Sequence, residues 1–267
     1  MKFDLHCHTK EGSLDAKLGI VPYAKMLKEQ GYDGMLVTDH NSYKGYDAWI
    51  HCKNKPEELK DFVVLKGIEY DTRDGGHVLV ILPDHVDCPI LEKRGMKFCY
   101  LEKLVHRLGG VIGAAHPYGF GYFAITNTNL YKNQPNIIKK FDFIESYNSG
   151  IPLENNRLAK QLARQYHKPE TAGSDAHSEV RVGTAYSVFN QQVRCNNDLI
   201  RLILNRDEIH AVGKIYDKLI KHRMLALKMA IIWGYWIYNK TGMLLYTHAR
   251  HKELKHMRKN LTNLKNC

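Results

Sequence analysis

The chain has 267 residues, of which 44% are hydrophobic, enough to bury one sizeable core. Its 39 Lys+Arg against 28 Asp+Glu leave a formal net charge of +11, which favours anionic partners such as phosphorylated metabolites, nucleic acid or an anionic membrane surface. The six cysteines form no C-x-x-C pair, which argues against a zinc knuckle or a redox motif and favours the reducing cytoplasm.

Apolar, β-branched segments alternate with helical ones, as in parallel α/β sheets and barrels. We predict seven strands: Lys2–Cys7, Gly34–Thr38, Phe62–Glu69, His77–Leu82, Val111–Ala115, Phe141–Ser146 and Glu170–Gly173. Helices are predicted between them, with the clearest ends at Pro22–Gln30, Met96–Leu108 and Leu153–Tyr166. The aromatic, asparagine-rich stretch Pro117–Ile137 is predicted to be a loop that either frames a substrate pocket or lies on the surface.

Residues able to bind metal lie at the ends of these strands. The first strand carries His6 and His8, which point to one face because strand side chains alternate with period two. Six more such residues lie at or just after the ends of later strands, except for His77, which begins its strand. They are His40, Glu69, His77, His116, Asp175 and His177. Since the carboxyl ends of parallel strands converge on the active site, we expect these side chains to meet there and bind metal.

Five short motifs contain most of these residues: Asp4-Leu5-His6-Cys7-His8-Thr9, Val37-Thr38-Asp39-His40-Asn41, Gly67-Ile68-Glu69, Ala115-His116-Pro117 and Gly173-Ser174-Asp175-Ala176-His177-Ser178. Together, over roughly residues 1–190, they resemble the polymerase-and-histidinol-phosphatase (PHP) family of metal-dependent phosphoesterases. The resemblance implies an α/β fold, a distorted, TIM-like, seven-stranded (β/α)7 barrel. It also implies a centre of two or three divalent metal ions at the carboxyl ends of the strands.

The resemblance further implies how the ligands divide between the ions. His6 and His8 correspond to ligands of one ion. Asp175 completes that site, and Glu69 bridges it to a neighbouring ion.

Four other histidines correspond to ligands of the remaining ions. His40 and His177 are expected to bind one ion, and His77 and His116 the other. Imidazole and carboxylate ligands without thiolate favour Mn, Fe or Zn.

A variable ligand follows the first two histidines in the family, and Asp15 is the candidate for it here, with Glu11 as the alternative. Arg181 is a catalytic candidate from its position four residues after His177: it would either bind a substrate phosphate as a planar fork or lie on the surface. The other catalytic candidates are already named as ligands: Glu69, His77 and Asp175.

The implied function is hydrolysis of a small-molecule phosphate monoester, of nucleotide, sugar or histidinol phosphate type, by a metal-activated hydroxide. A nuclease or exonuclease that cleaves phosphodiesters of nucleic acid is the alternative enzyme. A non-catalytic metal-binding scaffold that acts through its C-terminal helices is the alternative outside enzymes. The complete set of ligands favours catalysis over the scaffold.

The composition changes at about residue 214, so we divide the chain into a barrel, residues 1–213, and a basic, aromatic-rich helical extension, residues 214–267. Apolar residues recur at helical spacing from Ile215 to Tyr238, and a turn at Gly242 is predicted to precede a second, basic helix. We expect the extension to pack on the barrel or on a second subunit, with contact to a membrane surface as the alternative. The expected location is the cytoplasm, with peripheral membrane attachment as the alternative.

Overall fold

Nine strands form one sheet in the part of the chain that the structure describes. The structure is a computed structural model, and it describes residues 1–213, 233–234, 237–238, 240–252 and 255. The strands are β1 (Lys2–Cys7), β2 (Gly34–Val37), β3 (Val63–Asp71), β4 (His77–Ile81), β5 (Val111–Ala114), β6 (Phe143–Asn148), β7 (Glu170–Gly173), β8 (Ala185–Val188) and β9 (His210–Gly213). The first seven are the predicted strands, and the last two are additional.

Six α-helices lie within residues 1–213: α1 (Ile20–Glu29), α2 (Lys44–Ile50), α3 (Phe98–Arg107), α4 (Asn129–Asn133), α5 (Leu153–Gln165) and α6 (Asn196–Asn205). The three helices predicted with bounds correspond to α1, α3 and α5. Helix α2 lies between two predicted strands, where a helix was expected without bounds, and α6, after the last predicted strand, was not predicted. The stretch predicted as a loop, 117–137, contains α4 and short 3-10 helices at Gly121–Phe123, Ile125–Asn127 and Pro135–Lys140. Three further 3-10 helices lie at Glu57–Leu59, Pro89–Glu92 and Glu179–Arg181.

Helix α1 illustrates how the sequence forms the outer layer. Ile20, Tyr23, Ala24 and Leu27 recur at three- and four-residue spacing and are all buried, so one face of the helix packs on the sheet. The helix begins where the Glu11 carboxylate accepts a hydrogen bond from the Ile20 backbone N–H, at 3.2 and 3.3 Å from its two oxygens. This contact satisfies one of the N–H groups that a helix start leaves unpaired.

Strand β4 runs antiparallel to both of its neighbours, β3 and β5, whereas β1, β2 and β3 are mutually parallel and so are β5, β6 and β7. Asp71, the last residue of β3, pairs with His77, the first residue of β4. The start of β4 therefore lies at the edge where the parallel strands end. This reversal explains how a histidine that begins its strand can join histidines that end theirs.

The two ends of the seven-strand series approach each other and nearly close a barrel. The strand order is β7-β6-β5-β4-β3-β2-β1-β8-β9, and a bridge between Cys7 and Ala176 links the end of β1 to the segment after β7. The backbone N–H of Asp175 donates to the His6 carbonyl at 2.9 Å. A Cβ at Gly173 would lie 2.2 Å from the His6 Cβ, so the close approach of these strands requires glycine.

Strands β8 and β9 extend the sheet beyond β1 by antiparallel pairing, so the sheet has nine strands where seven were expected. Every residue of β2, β4 and β5 is buried. Strands covered on both faces are typical of α/β folds, in which helices lie outside and side chains fill the barrel. The fold is thus the expected distorted α/β barrel with two added strands.

The described residues of the extension are helical at 233–234, 237–238, 240–245, 247–252 and 255, and we call them the tail helix. The Tyr246 N–H donates to the Gly242 carbonyl at 2.9 Å and the Arg250 N–H to the Tyr246 carbonyl at 2.8 Å, so the helix runs through Gly242. The position predicted for the turn is wrong, because the turn lies at Tyr246, between helical residues 240–245 and 247–252. A Cβ there would lie 2.1 Å from Arg94 Nε, so the glycine permits close packing instead.

Most of the first helix predicted in the extension, residues 214–232, lies outside the described residues, as do His256, Arg258 and Lys259 of the predicted basic helix. Among the residues that are described, no helix is both long and apolar enough to cross a membrane. Contact of the extension with a membrane surface or a second subunit stays a prediction.

Candidate metal centre

Four of the predicted ligands meet at the end of β1. His6 Nε2 and His8 Nε2 are 3.1 Å apart, and each lies 3.3–3.4 Å from Glu69 Oε2. Asp175 Oδ1 lies 3.6 Å from the first nitrogen and 3.1 Å from the second. The two imidazoles and Glu69 are buried almost completely, and Asp175 is nearly so.

These spacings fit one metal ion. Ligands about 2.1 Å from an ion are separated from each other by about 3.0 Å in octahedral and about 3.4 Å in tetrahedral geometry. The four ligand atoms match these separations and converge on one point. These nitrogen and carboxylate oxygen atoms are buried, and there are too few N–H or O–H groups to pair with all of their lone pairs. A bound cation would supply the missing partner.

Two hydrogen bonds orient the imidazoles toward that point. The Glu145 carboxylate can only accept, so His6 Nδ1 donates to its Oε1 at 2.9 Å, and Nε2 of the neutral ring keeps a lone pair. Ser13 Oγ donates to Asp39 at 2.9 Å, so it accepts from His8 Nδ1 at 3.2 Å. Both Nε2 atoms are therefore available as ligands, which is how buried partners normally prepare metal-binding histidines.

A second group forms around the other oxygen of the same glutamate. Glu69 Oε1 lies 2.9 Å from His77 Nδ1 and 2.9 Å from His116 Nε2. The two oxygens of Glu69 thus face two different groups of histidines, which is the arrangement of a bridging carboxylate. His116 Nδ1 is buried without a hydrogen-bond partner among the described residues.

A third group joins His8 to His40 and His177, whose ligand atoms lie within 4.8 Å of one another. Asp15 Oδ2 lies 3.2 Å from His177 Nε2 and 3.8 Å from His40 Nε2. The Asp15 carboxylate therefore reaches this group, while Glu11, the alternative, accepts from the start of α1 instead.

All nine predicted ligands thus gather in one connected cluster at the carboxyl edge of the barrel: His6, His8, Asp15, His40, Glu69, His77, His116, Asp175 and His177. Arg181 lies beside it, because a Cβ at Gly150 would be 3.1 Å from Arg181 Nη1 and 3.5 Å from Asp175 Oδ2.

Sequence reasoning missed two buried carboxylates in this cluster. Asp71 Oδ1 lies 3.2 Å from His77 Nε2 and 3.6 Å from His40 Nδ1, and it shares a strand face with Glu69 two residues earlier. Glu145 binds His6 and also accepts from the His116 N–H at 2.7 Å. An acidic residue within or directly after a predicted strand was the available signal in both cases, because a buried carboxylate needs partners.

The backbone has positive φ angles at three residues that follow strand ends beside the cluster. Asn41, His116 and Asp175 have φ values of 49°, 27° and 50°, in a region that non-glycine residues rarely adopt. Each follows a strand end at the cluster. Such conformations persist where surrounding contacts enforce them, and they concentrate at functional sites.

The electrostatics of the cluster favour cations. Burial alone would raise the pKa of Glu69, but the imidazoles of His77, His6 and His40 outweigh it and hold that pKa well below its usual value. Burial opposes ionisation of Asp175 as well, and neighbouring imidazoles, led by His6, likewise lower its pKa well below the usual value. The central carboxylates are therefore anionic at neutral pH, as metal binding requires.

The barrel and its buried cluster of imidazoles and carboxylates define a metal-dependent hydrolase. A family model described as "PHP domain" matches residues 4–168, and one described as "PHP-associated" matches residues 154–207. The chain belongs to the PHP family and is a metal-dependent phosphoesterase, as its sequence motifs predicted. A search of curated protein sequences finds no significant match.

Solved structures share the fold at low sequence identity. PsfC from Pseudomonas syringae PB-5123 is 18% identical with a TM-score of 0.56, over 74% of this chain and 87% of that one. A two-domain protein from Bacteroides vulgatus that contains a predicted PHP-like metal-dependent phosphoesterase is 16% identical with a TM-score of 0.58, over 80% of this chain and 64% of that one. The lesion-specific endonuclease PfuEndoQ from Pyrococcus furiosus is 17% identical with a TM-score of 0.57, over 79% of this chain and 57% of that one. These likenesses establish the fold alone.

Proposed function

We propose that this chain hydrolyses phosphate monoesters of metabolite-sized molecules. The observation that carries the proposal is a cavity of about 720 Å³ that adjoins the cluster at His40 and Asp15. Cavities of this size hold small ligands and bury most of their surface. The net charge of +11 favours an anionic substrate.

We propose the ligand groups as follows. One ion would be held by the group of His6, His8, Glu69 and Asp175. The same glutamate would connect this group to a second one that contains two further histidines.

The second group would consist of Glu69 with His77 and His116, and the third of His40 and His177 with Asp15. Two or three divalent ions would therefore be bound. The mixture of imidazole and carboxylate favours Mn, Fe or Zn over Mg or Ca. Such ions, when bound, lower the pKa of water and neutralise charge on phosphate oxygens.

Other residues of the chain would orient the metal ligands and bind the substrate phosphate. Glu145 and Ser13 fix the orientation of the imidazoles of His6 and His8. Asn148 Nδ2 donates to Asp175 Oδ2 at 3.2 Å and so directs its other oxygen toward the cluster. Arg181, a guanidinium near the same carboxylate, would bind non-bridging phosphate oxygens.

We also propose that residues 1–213 form the catalytic barrel and residues 214–267 a helical extension. Hydrolysis of nucleic-acid phosphodiesters is the second candidate function, because the strongly positive net charge would also suit that substrate. The non-catalytic scaffold is the third, and the complete set of candidate ligands in one cluster argues against it.

The test uses the full chain loaded separately with Mn, Fe(II) or Zn, and it measures phosphate release from monoesters and strand cleavage of DNA, because hydrolysis of an internal phosphodiester releases no inorganic phosphate. The panel contains sugar phosphates, histidinol phosphate, nucleotides and short single-stranded DNA, and metal content is measured in parallel. We expect phosphate release from monoesters that is lost in Asp175→Asn and kept in Asp207→Asn, a matched change outside the cluster. Cleavage of DNA alone would favour the nuclease, and a metal-loaded but inactive protein would favour the scaffold.

A further inference from the structure

The tail helix is anchored beside the metal centre. Arg250 is buried, and its Nη1 donates to the Arg94 carbonyl. Arg94 Nη2 in turn donates to the Tyr238 carbonyl at 2.9 Å, and its guanidinium lies 3.4 Å from the centre of the Tyr238 ring. A Cβ at Gly95 would lie 2.3 Å from Met243 Cγ, so the helix fits closely against the segment after β4.

This anchoring makes the tail helix one wall of the 720 Å³ cavity. The same cavity is also lined by Asp15 and His40 of the metal cluster. Gly234 and Tyr238 line the cavity from the tail helix, and Tyr246 lines it from the turn between residues 245 and 247. A molecule bound at the cluster would therefore extend toward the helix.

Two cationic side chains line the cavity, Lys44 and Arg94. Among the described residues, no carboxylate lies within 4.0 Å of either charge. Arg94 is only 9% exposed, and its guanidinium packs against Gly242 and the Tyr238 ring of the tail helix. A buried guanidinium without a counter-ion is unfavourable, so an anionic ligand is the partner that its surroundings lack.

Negative charge is also present at the cavity, but it is engaged elsewhere. Asp15 contacts His177 and His40 of the cluster. Glu92 is exposed and accepts from the Tyr43 N–H at 3.3 Å. The positive charges of Lys44 and Arg94 are therefore available to an anionic ligand in the cavity.

We propose that this cavity binds the leaving-group end of the substrate, that this end carries a second anionic group, and that Arg94 and Lys44 bind that group. The tail helix limits how long the substrate can be. The inference rests on the proposed monoester hydrolysis and narrows its substrate class to phosphomonoesters with a second carboxylate or phosphate. Arginine offers paired donors to either group, and lysine adds a point charge.

The test uses alkyl phosphates of three to six carbons that end in methyl, carboxylate or phosphate. With the Mn-loaded full chain, we expect kcat/KM for an anionic end to exceed that for a methyl end by about tenfold or more, because hydrogen bonds to charged groups are stronger than neutral ones. In Lys44→Met and in Arg94→Lys this ratio should fall, whereas in Lys103→Met, an exposed lysine of α3, it should persist. Comparison of the carboxylate and phosphate series identifies the preferred group.

The wall is tested separately with Gly234→Leu. Among the described residues, nothing lies within 4 Å of a Cβ at Gly234, so the new side chain can extend into the cavity without a clash. In this variant we expect hydrolysis of the six-carbon alkyl phosphates to fall relative to hydrolysis of the three-carbon ones. If the dependence of the hydrolysis rate on alkyl chain length stayed unchanged, the tail helix would not limit substrate length.

Equal rates for methyl and anionic ends, with hydrolysis still lost in Asp175→Asn, would refute this inference and leave the proposed function standing. If no ester is hydrolysed, the proposed function fails. The proposed anion-binding site is then tested by measuring ligand binding instead. Calorimetry would then compare alkyl phosphonates with methyl, carboxylate or phosphonate ends. Tighter binding of an anionic end that depends on Lys44 would support the site, and equal binding would overturn it.

Discussion

Glu145→Gln should weaken metal binding although this residue is not itself proposed as a ligand. Glu145 is 1% exposed and accepts from His6 Nδ1 at 2.9 Å, the His116 N–H at 2.7 Å and Asn148 Nδ2 at 3.0 Å. Glutamine has nearly the same shape, but one of its two oxygens becomes an NH₂ group that can only donate. Whichever way the amide turns, at least one buried donor then faces another donor.

The expected magnitude follows from that loss. A buried donor left unsatisfied costs about 1–3 kcal/mol. Loss of a partner that orients a metal-binding histidine lowers metal affinity about 10- to 100-fold, or about 1.4–2.7 kcal/mol. We therefore expect Glu145→Gln to raise the metal dissociation constant by at least about tenfold, since the His6 imidazole is no longer held toward the ion.

The assay is competition for Mn or Zn against a chelator of known affinity, with chemical unfolding of the metal-free protein measured beside it. Glu170→Gln is the matched control, because Glu170 also lies in a strand but faces Arg164 and Lys160 at 3.7 and 4.0 Å. A metal affinity within twofold of the unchanged protein would refute the reasoning. Equal loss in the control would show that the effect is not specific to the cluster.

Three further outcomes are expected. Gly173→Ala should destabilise the fold by about 1–3 kcal/mol in denaturant titrations, because its Cβ would lie 2.2 Å from that of His6; an unchanged midpoint would contradict the tight approach. The hydrogen bond from His106 to Asp142 raises the pKa of the imidazole, so its stabilisation is present below the unfolded pKa and lost as pH rises through the folded value. His106→Ala should therefore cost about 0.5 kcal/mol more at pH 5.5 than at pH 8.5, the ring being partly screened by solvent; equal costs would oppose this. Arg250→Met removes its bonds to the barrel and should raise hydrogen exchange across residues 240–252, whereas unchanged exchange would show that other contacts hold the helix.

The regular part of the barrel was predictable because its strands are apolar and bounded by turn residues. β1 and β7 begin and end at the predicted residues. β8 and β9 were missed because each is four residues long with a single β-branched residue, and no family motif lies beside them as one does beside β7. The direction of β4 was not predictable either, since strand pairing depends on where the chain returns in space and not on the strand's own composition.

The candidate metal ligands were predicted from chemistry at strand ends together with family motifs, and the structure brings all of them into one cluster. Asp71 and Glu145 escaped notice because the sequence does not indicate which strand residues face the barrel interior near the cluster. Their partners, the imidazoles of His40 and His6, come from other strands. Only the closed sheet creates those contacts.

The sequence by itself determined the family, the barrel class and the identity of the residues that can bind metal, because these depend on local patterns of residue type. The tertiary structure alone decided how the ligands divide into groups and what surrounds them. It also placed Arg250 of the tail helix against Arg94, 156 positions earlier in the chain, and so formed the cavity wall. Contacts of such long range arise from packing of the whole chain, which no local pattern encodes.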